Sequence, residues 1–179
     1  MRKLVLGMTG LMVSGLVACG PVKPSHVPDT LAYGAFGTNG DEDVQALDIA
    51  TYNLSRPIHR PMKAAEAMAA LEFIAQEFKS NPRWADLDPL TRKEIEDARR
   101  TVRSELGIAP TAASQDVVNT MLALSTALQV KDQAQIQQLL NNPIFTLPPD
   151  QILQRLSNVP YNAQINAATT SADDQISQE

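Results

Sequence analysis

Reactive side chains are sparse in this chain. Cys19 is its sole cysteine, and a thiol becomes a strong nucleophile once it loses its proton. A single cysteine excludes an internal disulfide and any zinc cluster built from cysteines. The two histidines complete no metal-ligand set, so neither a metal nor a cofactor is expected. His59 lies between Arg56 and Arg60, a setting that suits a general base or an anion contact. The plainer reading is an exposed loop histidine between Pro57 and Pro61. Arg92, Arg99 and Arg103 fall along one side of a helix and offer a second anion contact. Their plainer reading is a solvated face laced with Glu and Asp. Gly34, Gly37 and Gly40 lack the Gly-Lys-Ser/Thr ending of a phosphate loop. Asp41-Glu42-Asp43 lacks the central Gly and final Glu of a calcium loop, and reads better as the acidic first turn of a helix. No nucleophile elbow, His-Glu-x-x-His pair or dinucleotide fingerprint occurs, so the sequence offers no catalytic motif and no enzyme is expected.

The residues around Cys19 give that thiol a context. Arg2 and Lys3 precede an apolar run from Leu4 to Val17, and Leu16-Val17-Ala18-Cys19 follows, then Gly20 and Pro21. Those 14 residues rise only about 21 Å as a helix, short of the roughly 30 Å hydrocarbon core. An export segment fits better than a spanning helix. Leu16-Val17-Ala18-Cys19 resembles the lipobox of bacterial lipoproteins. That resemblance implies a diacylglyceryl group on the Cys19 thiol, cleavage before Cys19 and acylation of the freed amine. Gly20 in place of Asp implies, by the same resemblance, the periplasmic face of the outer membrane rather than retention at the inner one.

Charge agrees with an anchor made of lipid. The 179 residues hold 15 Lys plus Arg and 20 Asp plus Glu, a net −5. Removing residues 1–18 leaves 13 basic against 20 acidic residues, a net −7. Such a body lacks the basic footprint of a nucleic-acid binder, and an anionic surface repels it as a whole. Each buried methylene of an acyl chain contributes about 0.8 kcal/mol, so two or three chains hold durably without help from charge.

Four segments follow: a leader over 1–18, a lipidated cysteine and tether over 19–43, a helical domain over 44–160 and a mobile tail over 161–179. In the tether, Pro21, Pro24 and Pro28 stiffen the chain and Gly34, Gly37 and Gly40 loosen it. Tyr33 and Phe36 are apolar enough to dock on the domain. The body shows helical rather than strand periodicity. The expected fold is all-α, a small irregular bundle of about five or six short helices.

The helices are expected as follows. The first runs from Asp41 to Leu54, and the second from Pro61 to about Lys79, its alanines permitting close contact and Glu66, Glu72 and Glu77 marking its wetter side. Asp88, Pro89 and Gly107 bound the third, whose apolar stripe is Leu90, Ile95, Ala98, Val102 and Leu106. Arg92–Glu96, Lys93–Asp97 and Glu96–Arg100 have pairing spacing. The fourth, Ser114 to Val130, carries no charge between Asp116 and Lys131 and reads as the central helix. A fifth begins near Asp132 and a sixth after Pro149. Beyond Pro160 the chain is rich in Asn, Ala, Thr, Ser and Asp, hence the mobile tail.

Asn81-Pro82-Arg83-Trp84 and Asn142-Pro143-Ile144-Phe145 echo each other, each an Asn-Pro stop delivering an aromatic to a helix junction. The expected role is an accessory or interaction protein of the cell envelope, with a membrane contact through Cys19 and a protein partner. Candidate contacts are His59, Trp84, Arg92, Arg99 and Arg103. The rivals are a small-molecule or lipid-binding module, with a pocket between the second and fourth helices, and an envelope enzyme centred on His59.

Overall fold

Alanine at six of the twelve positions from Ala64 to Ala75 sets the architecture, because a helix so thin lets neighbours close in on several sides at once. The structure, a computed structural model, describes Phe36 and residues 41–177. It is all-α. Seven helices follow in order: α1 (Glu42–Leu54), α2 (Pro61–Ser80), α3 (Pro89–Leu106), α4 (Ser114–Val130), α5 (Gln133–Leu140), α6 (Pro149–Leu156) and α7 (Ala163–Ile176). One turn of 3-10 helix spans Pro82–Trp84. Among the described residues, extended pairing is limited to two isolated antiparallel bridges, Ile58 with Val159 and Ile108 with Phe145. Cys19 and the tether apart from Phe36 lie outside the described residues up to Asp41.

The central helix is α2, not α4 as the uncharged run between Asp116 and Lys131 suggested. Of its 20 residues, 14 are buried, and α1, α3, α4 and α6 all pack on it. α4 buries Val117, Val118, Met121, Leu122 and Leu124, but Gln129 and Val130 stay wet. Uncharged polar side chains were enough to make its outer face.

Punctuation fixes the ends. Asp88 accepts a hydrogen bond from the Leu90 amide at 2.9 Å, and Pro89 opens α3. Gly107 closes it with φ of 69°, and a Cβ there would stand 2.3 Å from Leu147 Cδ1. Both the backbone angle and the space therefore require glycine. Ile95, Ala98, Val102 and Leu106 face inward as expected. Leu90 does not: it is 59% exposed, and Thr91 takes the inner position, accepting from Gln175 Nε2 of α7 at 2.6 Å.

The Asn-Pro echo is an echo of turns. Asn81 Oδ1 accepts from the Arg83 amide and Asn142 Oδ1 from the Ile144 amide, both at 3.0 Å. In each, the aromatic amide then returns to the Asn carbonyl at 3.1 Å. Trp84 is fully buried beside Phe78, while Phe145 is half-buried and forms the bridge to Ile108.

The segment after Pro160, expected to be mobile, is helical to Ile176. Asn162 caps α7 by accepting from the amides of Gln164 and Ile165. Ile165, Ala168, Thr169, Ala172 and Ile176 recur every three or four positions and bury one face against α1 and α3. Low overall hydrophobicity hid a narrow stripe made mainly of small residues, and alanine favours the helix in any case. Phe36, from the tether, packs its ring 5.8 Å from that of Phe73 on α2, as docking of that residue predicted. Tyr33 lies outside the described residues.

At the α1–α7 seam, burial and the neighbouring Asp48 and Asp174 carboxylates push the Asp173 carboxyl up. A raised carboxyl favours the fold when protonated, so this contribution is full below the ordinary aspartate range and fades as pH rises through the folded value. Asp173→Asn is expected to raise the thermal midpoint near neutral pH and to lose that gain in acid, which a pair of melting series checks. Ending the chain at Pro160 is expected to cost about 3–6 kcal/mol in urea unfolding, from the lost burial of Ile165 and Ile176 with their neighbours; a tail without contacts would leave the midpoint unchanged.

Candidate functional site

The charged residues of α3 divide by the side they face. Arg103 is 4% exposed and grips Glu72 of α2, Nη2 to Oε1 at 2.5 Å and Nε to Oε2 at 2.9 Å. Its Nη1 donates to the carbonyls of Ala109, Pro110 and Ala112. Arg99 reaches Glu72 at 3.1 Å, Ser114 Oγ at 3.1 Å and Glu96 at 2.5 Å. Glu72 therefore sits on an inner face, 2% exposed, rather than on the wetter side of its helix. Arg99 and Arg103 bind an anion, but it is the protein's own carboxylate. Their spacing was legible; the side that turns inward was not, because every face of α3 except the apolar stripe is charged.

Arg92 has another task. Its Nη2 donates to the carbonyls of Ala85 at 2.8 Å and Leu87 at 2.6 Å, clamping the turn before α3 rather than pairing with Glu96. Lys93 does pair with Asp97, at 2.6 Å, and Arg100 pairs with Asp97 and lies 4.0 Å from Glu96.

Trp84 is a plug rather than an exposed contact. It is 2% exposed, its Nε1 donates to Asp43 Oδ2 at 2.9 Å, and its ring meets Phe78 edge-on. The Arg83 guanidinium covers its face at 4.4 Å and pairs with Asp41 and Asp43. Burial pushes the Asp43 carboxyl up, against the opposing pull of the Trp84 hydrogen bond.

His59 is the expected exposed loop residue, and the fold gives it company. The loop from Ser55 to Arg60 joins α1 to α2 and is pinned at Ile58, whose amide donates to the Val159 carbonyl at 2.9 Å and whose carbonyl accepts from the Val159 amide at 3.0 Å. Ile58 points into the core, and Arg56, His59 and Arg60 remain exposed around it. The Arg56 guanidinium lies 4.1 Å from the centre of the Tyr52 ring, and that ring is 63% exposed. These residues and Lys63 border an open cleft of about 450 Å³. Lys63 holds Glu66 at 2.6 Å, whereas Arg56, His59 and Arg60 make no ion pair among the described residues. α2 starts here without a side-chain cap or an acidic residue in its first turn. The N-terminal end of its dipole adds partial positive charge to the same corner. Tyr52 and Lys63 were missed by sequence reading, although the stretch from Ile49 to Ala65 carries no acidic residue, which is the signal that could have found them.

The described residues thus contain two cationic arrangements, one closed on Glu72 and one open to solvent. Among them, no group of three or more His, Cys, Asp or Glu side chains is placed to hold a metal. No family model, curated protein or solved structure matches the chain.

The closed arrangement makes a stability prediction. Arg103→Ala leaves Glu72 buried without its main partner and is expected to cost about 3–5 kcal/mol in urea unfolding. The Glu72→Met/Arg103→Met double variant is expected to recover most of that loss, and equal losses in both would contradict the assignment.

Proposed function

We propose that this is a lipid-anchored, helical interaction protein of the bacterial cell envelope, facing the periplasm and held at the outer membrane through Cys19. The observation that carries the reading is the order of Arg2 and Lys3, the apolar run to Val17, and Leu16-Val17-Ala18 immediately before the sole cysteine. Two features of the body support it. No described helix is long and apolar enough to cross a membrane, so the body contributes no span of its own among the described residues. The body begins at Asp41, 22 positions after Cys19, leaving a spacer between lipid and α1.

The role of the body in this reading is contact with a partner in the envelope. The large exposed apolar side chains come from four separate segments: Tyr52 from α1, Leu90 from α3, Val130 from α4 and Tyr161 from the link before α7. A small-molecule pocket between α2 and α4 is disfavoured by the side chains that fill that interface, including Leu71, Val118, Met121 and Leu124, all essentially inaccessible.

Cys19→Ser is expected to leave residues 1–18 attached and position 19 without lipid, so that the protein is lost from the outer-membrane fraction. Intact-mass measurement of the wild-type product checks the chemistry directly. A bare Cys19 thiol, or a retained leader in the wild type, contradicts the proposal.

A further inference from the structure

The open corner between α1 and α2 is out of keeping with the rest of the chain. A body of net charge −7 after loss of residues 1–18 carries Arg56, His59, Arg60 and Lys63 within eight positions, with no acidic residue from Ile49 to Ala65. Elsewhere among the described residues arginines pair within the chain, with Glu72, with Asp41 and Asp43, with Asp97, or with backbone carbonyls. Here Arg56 and Arg60 are exposed and make no ion pair among the described residues, and α2 starts beside them without a side-chain cap. An exposed tyrosine lies under one of the guanidinium groups. A cation beside an amphipathic ring is the side-chain pair that membrane–water interfaces favour.

We propose that this corner docks on the phosphates of anionic lipid headgroups, on the membrane to which Cys19 tethers the chain. The inference rests on the lipid-anchor reading. The chain geometry permits it. Phe36 is fixed against Phe73, and the 17 residue-to-residue steps from Cys19 to Phe36 reach at most about 60 Å. Phe73 lies ten positions along α2 from Lys63, about 15 Å from the corner. The tether keeps the corner near the bilayer, and the acidic remainder of the body is repelled from the same surface. Together these effects orient the domain with the α1–α2 loop toward the lipid. Each arginine at an anionic surface adds about fivefold to binding, so two add roughly 25-fold.

The test uses the purified native protein reconstituted on phosphatidylcholine vesicles, and on vesicles mixing phosphatidylcholine with phosphatidylglycerol. Flotation with pure phosphatidylcholine vesicles reads the anchor alone. Diethyl pyrocarbonate modification of His59, resolved from His26 by peptide mass spectrometry, reads the corner. His59 is expected to react several-fold more slowly on the phosphatidylglycerol vesicles, with the difference lost in high salt. In Arg56→Gln/Arg60→Gln, whose sites are exposed and whose helix content should be unchanged, His59 is expected to react equally on both while the protein still floats. Equal reactivity of wild-type His59 on the two vesicle types overturns the proposal and leaves the anchor standing. Equal slowing by inorganic phosphate on phosphatidylcholine vesicles also overturns it, in favour of a free-anion cleft. Failure to float on phosphatidylcholine removes the anchor instead, and selective binding of wild type over the double variant to phosphatidylglycerol vesicles then still decides the corner.

Discussion

A carboxylate in the middle of α2 organises the charged half of this structure. Glu72 is enclosed, and a buried carboxylate stands only if cations and hydrogen bonds surround it. Arg103 meets it with two nitrogens and spends its third on the loop that leads into α4; Arg99 adds a further contact and reaches the first residue of α4. One side chain thereby sets the angle between α2 and α3 and the path of the connection after Gly107. Such a cluster contributes less to net stability than its contacts suggest, because all three groups lose water. Its contribution is to geometry: an apolar stripe alone would let α3 roll on α2, and the fork of Arg103 does not.

Which features were legible in the sequence follows from where their information lies. The boundaries of α3 were legible because Asp88, Pro89 and Gly107 act on their own backbone, with no partner needed. The same holds for Pro61 at the start of α2 and for the Asn-Pro turns, where Asn81 and Asn142 bond the amide two positions on. The inner sides of charged or small-residue helices were not legible. Glu72 looks like any surface glutamate until Arg103 faces it. Ala168 and Ala172 look like linker residues until α1 and α3 close over them. In both cases, the deciding fact is a neighbour more than 25 positions away in the chain.

The candidate site divides in the same manner. Arg56, His59 and Arg60 were visible as a run, and their exposure follows from the prolines that break the helices around them. Tyr52 and Lys63 belong to different helices and join the cluster only because the Ile58–Val159 bridge folds the connection back over the core. The same bridge holds Ile58 inward, between Arg56 on one side and His59 and Arg60 on the other, all three of which stay exposed.

Charge is therefore segregated by structural role rather than by amount. Arginines that hold helices together receive carboxylates or carbonyls. The α1–α2 loop is held instead by backbone hydrogen bonds and one isoleucine, so its cations join no helices together and pair with no carboxylate among the described residues. A loop fixed that way could carry Ser or Gln at positions 56 and 60 and lose only the contact of Arg56 with the exposed Tyr52 ring. Cations there raise the local potential against an otherwise acidic surface, and beyond the one ring contact of Arg56 over Tyr52 their field is directed at what lies outside the fold.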